Sequence, residues 1–327
     1  MRQLITIVIL FISLTIEAQK ADFEHINFAK ADSIAKVYQG YSLKNLPILT
    51  YNLTQKLDTQ VEQFRAIYTW VCFNIESDHS FGESTLRKRR KLKNDSLSFT
   101  SWNNQVLPKM FKRLLNEKKT ICSGYAYLIK EMSALAGIDC EIVDGYSRTT
   151  TRNVGEVEFP NHSWNAVKLN SNWYLVDATM ASGYFDINKY KFIKNYNDGY
   201  FLADPDLFMK RNYALNPKWK LSETKISLNE FVKGPIVYGN TFKYNLTPIA
   251  PKALKTEVIE NEELVFQFKI SDKTGINEMR LVIRNGLKNE FIEVNSVNYE
   301  NGIVQLKHRF EKKGNFDVHL MIVNPEK

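Results

Sequence analysis

The sequence predicts an α+β domain, with helices leading into an antiparallel sheet, followed by a smaller all-β unit. Two observations carry this. Apolar residues recur three and four apart over 64–75 and 126–136, whereas 139–147, 162–169 and 173–178 have strand composition. A block of helices before a block of strands suits α+β layers. After Leu221 the pattern changes to short alternating runs separated by turn residues.

The elements follow in order. Arg2 and the apolar run 4–16, ended by Glu17, Ala18 and Gln19, predict a signal peptide over residues 1–19 and an exported chain. That run is too short to span a bilayer comfortably, and no later stretch is apolar enough to be a transmembrane segment of the mature chain. Residues 20–105 form an N-terminal helical region. Ala29, Ala31, Ile34, Ala35 and Val37 give it a weak period, 64–75 gives a strong one, and 77–105 reads as polar and irregular. Residues 106–225 form the core, which opens with a short amphipathic helix over 106–115. A second helix begins at Cys122, carries Ala126, Leu128, Ile129, Met132, Leu135 and Ala136 on its apolar stripe, and stops at Gly137. Three strands follow, the last two joined through Asn170, Ser171 and Asn172, and the loop 149–160 is expected to rim a cleft. Prolines at 235, 248 and 251 mark 226–250 as a linker or edge region. In 251–327, alternating runs at 264–270, 279–283, 303–306 and 316–322 predict a small β-sandwich of immunoglobulin type, which takes in His308 and His319 as strand residues.

Within the core, three polar residues fall where local structure assists chemistry. Cys122 sits in the first turn of its helix, where the positive end of the macrodipole favours thiolate. Its own N–H is one of the free amides there and can face a developing oxyanion. His162 opens a strand, and folding the hairpin places Asp177 near its diagonal position, able to hold one imidazole tautomer and stabilise imidazolium. A cysteine alone would read as a small buried hydrophobe. Thiol, imidazole and carboxylate in this order, each with matching flanks, read as a thiolate acyl-transfer centre.

The flanks closely resemble the transglutaminase-like superfamily, which has a papain-type core. Its helix start appears as Cys122-Ser123-Gly124-Tyr125-Ala126, and its two strand motifs as His162-Ser163-Trp164-Asn165-Ala166-Val167 and Trp173-Tyr174-Leu175-Val176-Asp177-Ala178-Thr179. The 64–75 helix, 200–205 and 216–221 are similar to the kyphoscoliosis-peptidase-like branch, and the chain is identified as a bacterial secreted member. Met180-Ala181 departs from the Trp and Gly usual there. The resemblance implies Cys122 as nucleophile, His162 as general base and acid, and Asp177 as orienter. Ser123, Gly124, Tyr125, Trp164 and Asn165 are expected at the substrate cleft, and Trp102 or Gln105 as a second oxyanion donor beside Cys122. It implies hydrolysis of peptide or protein amides, with protein cross-linking or non-catalytic peptide binding as alternatives.

Composition bounds the rest. The hydrophobic fraction of 44% over 327 residues suffices for a large core, and 24% charged is ordinary. Much of the net charge of +8 concentrates in 87–93, which reads as a solvated basic face; no nucleic-acid module accompanies it. Partners are therefore expected to be a peptide or protein substrate and a cell-envelope component, with no nucleic acid. Cys72 and Cys140 form an even pair once Cys122 is set aside, yet each lies in a core-like pattern and reads as a reduced hydrophobe. No metal and no cofactor is expected, because His25, His79, His308 and His319 form no spaced ligand set with the cysteines.

Overall fold

The computed structural model describes residues 19–270, 278–285, 288–293, 298–300 and 302–323. Apart from Gln19, the leader read over 1–19 lies outside them. At the centre is the helix Gln60–Asn74. Thr59 accepts the Glu62 N–H while the Glu62 carboxylate takes the Thr59 N–H, a reciprocal cap that fixes the helix start. Phe64, Ile67, Tyr68, Trp70 and Val71 are fully buried, so this helix is a core element rather than an amphipathic cover. The helices Ala29–Val37, Leu46–Thr54 and Cys122–Leu135 pack around it.

The helix Cys122–Leu135 also lies on the main sheet. The strands run in the order Asn172–Val176, His162–Leu169, Cys140–Ser147, Asn212–Ala214, and every pair is antiparallel. Leu169 pairs with Asn172, so Asn170 and Ser171 alone make the hairpin turn. Both have positive φ (47° and 72°), the primed turn whose twist matches the strands it joins. That two-residue turn sets the register that brings Asp177 to His162. The edge strand Asn212–Ala214 has three residues, too few to show a period in sequence.

Residues 77–105 are not irregular. They form the helix His79–Leu92 and the first part of Ser96–Glu117, of which the predicted 106–115 helix is only the later portion. Asp78 and Asp95 cap the two by accepting the Phe81 and Ser98 N–H groups. Most of the Arg and Lys side chains are exposed, so these good helix formers leave little apolar period to read. Pro108 sits inside the second helix, where it forfeits one backbone bond without ending the element.

The 226–250 stretch is more than a linker. It carries the helices Leu228–Lys233 and Gly239–Lys243, and Phe231, Val232, Val237 and Phe242 are buried. Arg148 donates to the carbonyls of Val232 and Gly234, and Arg211 to that of Val237, so two guanidinium groups strap the segment to the core. Its last residues, Leu246–Ala250, are already a strand of the C-terminal unit. That unit has two sheets. One runs Asn298–Glu300, Ile303–Arg309, Glu263–Ile270, Leu246–Ala250, and the other Lys288–Glu293, Glu278–Asn285, Asp317–Val323. Leu246, Phe266, Phe268, Ile270, Met279, Leu281, Val304 and Leu306 form a core between them, separate from the core of the helical domain.

Candidate active site

Cys122 is the first residue of its helix, with Ile121 at the cap. Two short parallel strands, Glu76–Ser77 and Lys119–Thr120, lead the chain into that position. A Cβ at Gly124 would lie 1.9 Å from Thr120 Oγ1, so the missing side chain at this motif position is a packing requirement. The His162 side chain and the Ser163 backbone N–H both act on the Cys122 thiol and favour its thiolate form.

His162 Nε2 lies 2.7 Å from Asp177 Oδ2, which leaves Nδ1 as the ring nitrogen for the sulfur. Asp177 is wholly buried and caps the short helix Ala178–Ser182, so Oδ1 accepts the Met180 N–H at 3.0 Å. Oδ2 also accepts from Asn212 Nδ2 at 3.3 Å. The Trp164 ring backs the imidazole, with centroids 6.0 Å apart and planes 28° off parallel. Ring and carboxylate are thus hydrogen-bonded, and the sulfur falls under the influence of the ring.

The electrostatics reinforce that arrangement. Burial pushes the Cys122 thiol up, but the hydrogen bond and charge of His162, with the Ser163 amide, outweigh it and leave the thiol below its ordinary value. Burial likewise depresses His162, and the charge and hydrogen bond of Asp177 followed by those of Cys122 reverse this and raise it to about 10. Both shifts favour thiolate beside imidazolium. Burial drives the other two thiols the opposite way, Cys72 well above its usual value and Cys140 to about 12. Cys72, Cys122 and Cys140 are all free.

Several residues expected at the cleft also have packing roles. Gly124, Tyr125, Trp164 and Asn165 are buried. Tyr125 donates its hydroxyl to the Ile75 carbonyl, and Asn165 Nδ2 bonds the Ala126 carbonyl at 2.9 Å, tying the nucleophile helix to the sheet. Ser123 is half-buried, its hydroxyl 3.5 Å from Met110 Sδ. Trp102 and Gln105 line a small cavity with Lys88, Leu92, Ser98 and Ser101, which includes no residue of the Cys122–His162–Asp177 chain. Both stand on the Ser96–Glu117 helix. Asn212 escaped the sequence reading because it stands on the three-residue edge strand. Among the described residues, no three His, Cys, Asp or Glu side chains gather as a metal site. No described helix is long and apolar enough to cross a membrane.

Comparison with known proteins gives this arrangement a family. Residues 48–178 match the transglutaminase-like superfamily. The chain is 29% identical over 310 residues to kyphoscoliosis peptidase of Homo sapiens, covering 90% of this chain and 42% of that protein. It is 34% identical over 186 residues to kyphoscoliosis peptidase of Mus musculus, covering 56% and 25%. Hillarin of Drosophila melanogaster is 28% identical over 240 residues, covering 68% and 26%. The chain therefore spans less than half the length of these curated relatives. A solved structure described as a crystal structure of a TGase aligns at 13% identity with a TM-score of 0.27, over 49% of this chain and 35% of its own, too weak a likeness to bear on the fold. The motifs on the Cys122 helix and the two strands of the hairpin are those of a known lineage: residues 48–178 form a domain of the transglutaminase-like superfamily, and the chain is similar to the kyphoscoliosis peptidases.

Proposed function

We propose that the chain is a thiol-dependent acyl-transfer enzyme acting on peptide or protein amide bonds, with hydrolysis as its outcome. The observation that carries this reading is the arrangement of the Cys122 sulfur, His162 and Asp177. The Cys122 thiolate attacks the amide carbonyl, and His162 gives its proton to the departing amine. Water, deprotonated by the now neutral imidazole, then attacks the thioester; the proton returns to His162 and Cys122 leaves as thiolate. Asp177 holds the tautomer with Nδ1 toward the sulfur, and the Cys122 N–H at the helix start serves the oxyanion.

A peptidase name on two curated relatives favours water over an amine as the second nucleophile. The 1–19 segment directs export, which the short apolar run after Arg2 supports; mature chains starting near Lys20 are the expected product on N-terminal sequencing, and intact Met1 in exported material contradicts it. The C-terminal unit is an immunoglobulin-like module that recruits substrate or an envelope component. In support, its described strands make two antiparallel sheets that share one apolar core.

The test of the catalytic reading is acylation. The protein incubated with an activated peptide ester should gain the acyl mass on Cys122, and then lose it to water faster than to an added amine. Equal acylation of the Cys122→Ala variant, or none above that of denatured protein, contradicts the reading. Faster transfer to the amine would instead make the outcome transamidation.

A further inference from the structure

A cavity of about 400 Å³ lies between the helix His79–Leu92 and the loop 149–160. Asn161, the neighbour of His162 in the chain, is part of its wall. On the helix side its lining includes Arg87, Arg90 and Lys93. Residues three apart share one helix face, so these cations form a row turned toward the loop. The basic run that composition alone reads as a solvated face therefore has an inner side.

The row is only partly committed. Arg90 holds Glu158 of the loop through a two-pronged contact, Nε to Oε1 at 2.5 Å and Nη2 to Oε2 at 2.8 Å. Arg152 of the loop reaches back to Glu83 of the helix at 2.5 Å. These two pairs tie loop to helix while leaving the cavity open. Arg87 and Lys93, both exposed, form no salt bridge among the described residues, although the Lys93 charge, behind the Arg90 contact, helps hold the Glu158 carboxyl below its ordinary value. Six residues of helix separate them by roughly 9 Å along the axis. Side chains two residues apart in an extended peptide share one face and span roughly 7 Å, within the added reach of the flexible Arg and Lys side chains.

We propose that this cavity is a subsite for acidic side chains of the peptide presented to Cys122, with Arg87 and Lys93 as the receiving cations. The lining also carries Glu83, Glu156 and Glu158. Three carboxylates repel a uniformly charged polyanion but tolerate separate acids set among neutral residues, so the fitting ligand is a peptide. The inference rests on the proposed function only in taking a peptide as substrate.

The experiment uses full-length protein carrying Cys122→Ala, which binds without turnover. Fluorescent extended peptides carry two Glu two residues apart, on one face, or Gln at the same positions, and binding is read by anisotropy. The Glu peptide is expected to bind roughly tenfold tighter, since two exposed ion pairs give at most about that factor. The preference should shrink as salt rises and vanish when Arg87→Glu and Lys93→Glu are added; both sites are exposed, so the fold is expected to persist, checked by the melting temperature. Equal binding of the two peptides overturns the proposal, as does a preference that survives the charge reversal. Heparin or polyphosphate displacing the Glu peptide while binding more tightly also overturns it, in favour of a polyanion site. Acylation at Cys122 without Glu preference sinks the subsite alone; Glu preference without acylation sinks the catalytic reading alone.

Discussion

At the scale of single residues, the site turns on how completely Asp177 is committed. One oxygen takes a backbone N–H, and the other takes both His162 and Asn212. Asp177→Asn keeps the shape but puts an amide where a carboxylate orients the ring. Acyl transfer should fall by about three to four orders of magnitude with the fold unchanged; a fall below tenfold in measured kcat contradicts the orienting role. Asn212→Ala removes a buried donor to a buried carboxylate, and about 1–3 kcal/mol of stability should go with it. Chemical denaturation measures this, and an unchanged midpoint means the 3.3 Å contact contributes nothing. Cys122, His162 and Asp177 are legible in sequence because each lies in its own local signal: a helix start, a strand start and a hairpin end. Asn212 is not, because it lies 35 residues beyond Asp177 with no local pattern of its own.

At the scale of elements, a cap or a turn decides what periodicity leaves open. The Asn170–Ser171 turn sets the hairpin register, and such polar turn residues are visible in sequence. The helices over 79–117 are not visible by period, since their apolar stripe is thin, although Asp78 and Asp95 are the caps that signal them. The residues expected at the cleft follow the same rules. Trp164 shares the strand face of His162 and stacks on its ring, while helical pitch and alternation turn Tyr125 and Asn165 into the core. Gly124 shows the same logic from the packing side. Gly124→Ala forces a methyl against Thr120 at the nucleophile's first turn and should cost about 1–3 kcal/mol. A melting temperature equal to wild type would show that Thr120 yields freely.

At the scale of the whole molecule, two cores divide the chain. The first closes with Val237 and Phe242, the second opens with Leu246, and the arginine straps from Arg148 and Arg211 belong to the first. A chain ending at Asn245 should therefore keep a folded helical domain with a reactive Cys122, and lose only the β unit. Folded but unreactive truncated protein would mean that the β unit helps build the site. The C-terminal sheets are readable from alternating runs, whereas the boundary is not. Prolines suggest a linker where Pro248 in fact sits inside an edge strand.

The central claim is that Cys122 is held as a thiolate by a buried imidazolium, and the pH dependence of its alkylation tests this most directly. Because the folded thiol titrates lower than usual, labelling should persist as pH falls and be lost only below a midpoint under the free-thiol value of ~8.5. His162, raised to about 10, stays protonated throughout that range, so acyl transfer loses its acid only as pH rises past about 10. His162→Ala should move the labelling midpoint up, while Cys72 and Cys140 stay slow in both proteins. A wild-type midpoint at or above ~8.5, unmoved by His162→Ala, would contradict the account.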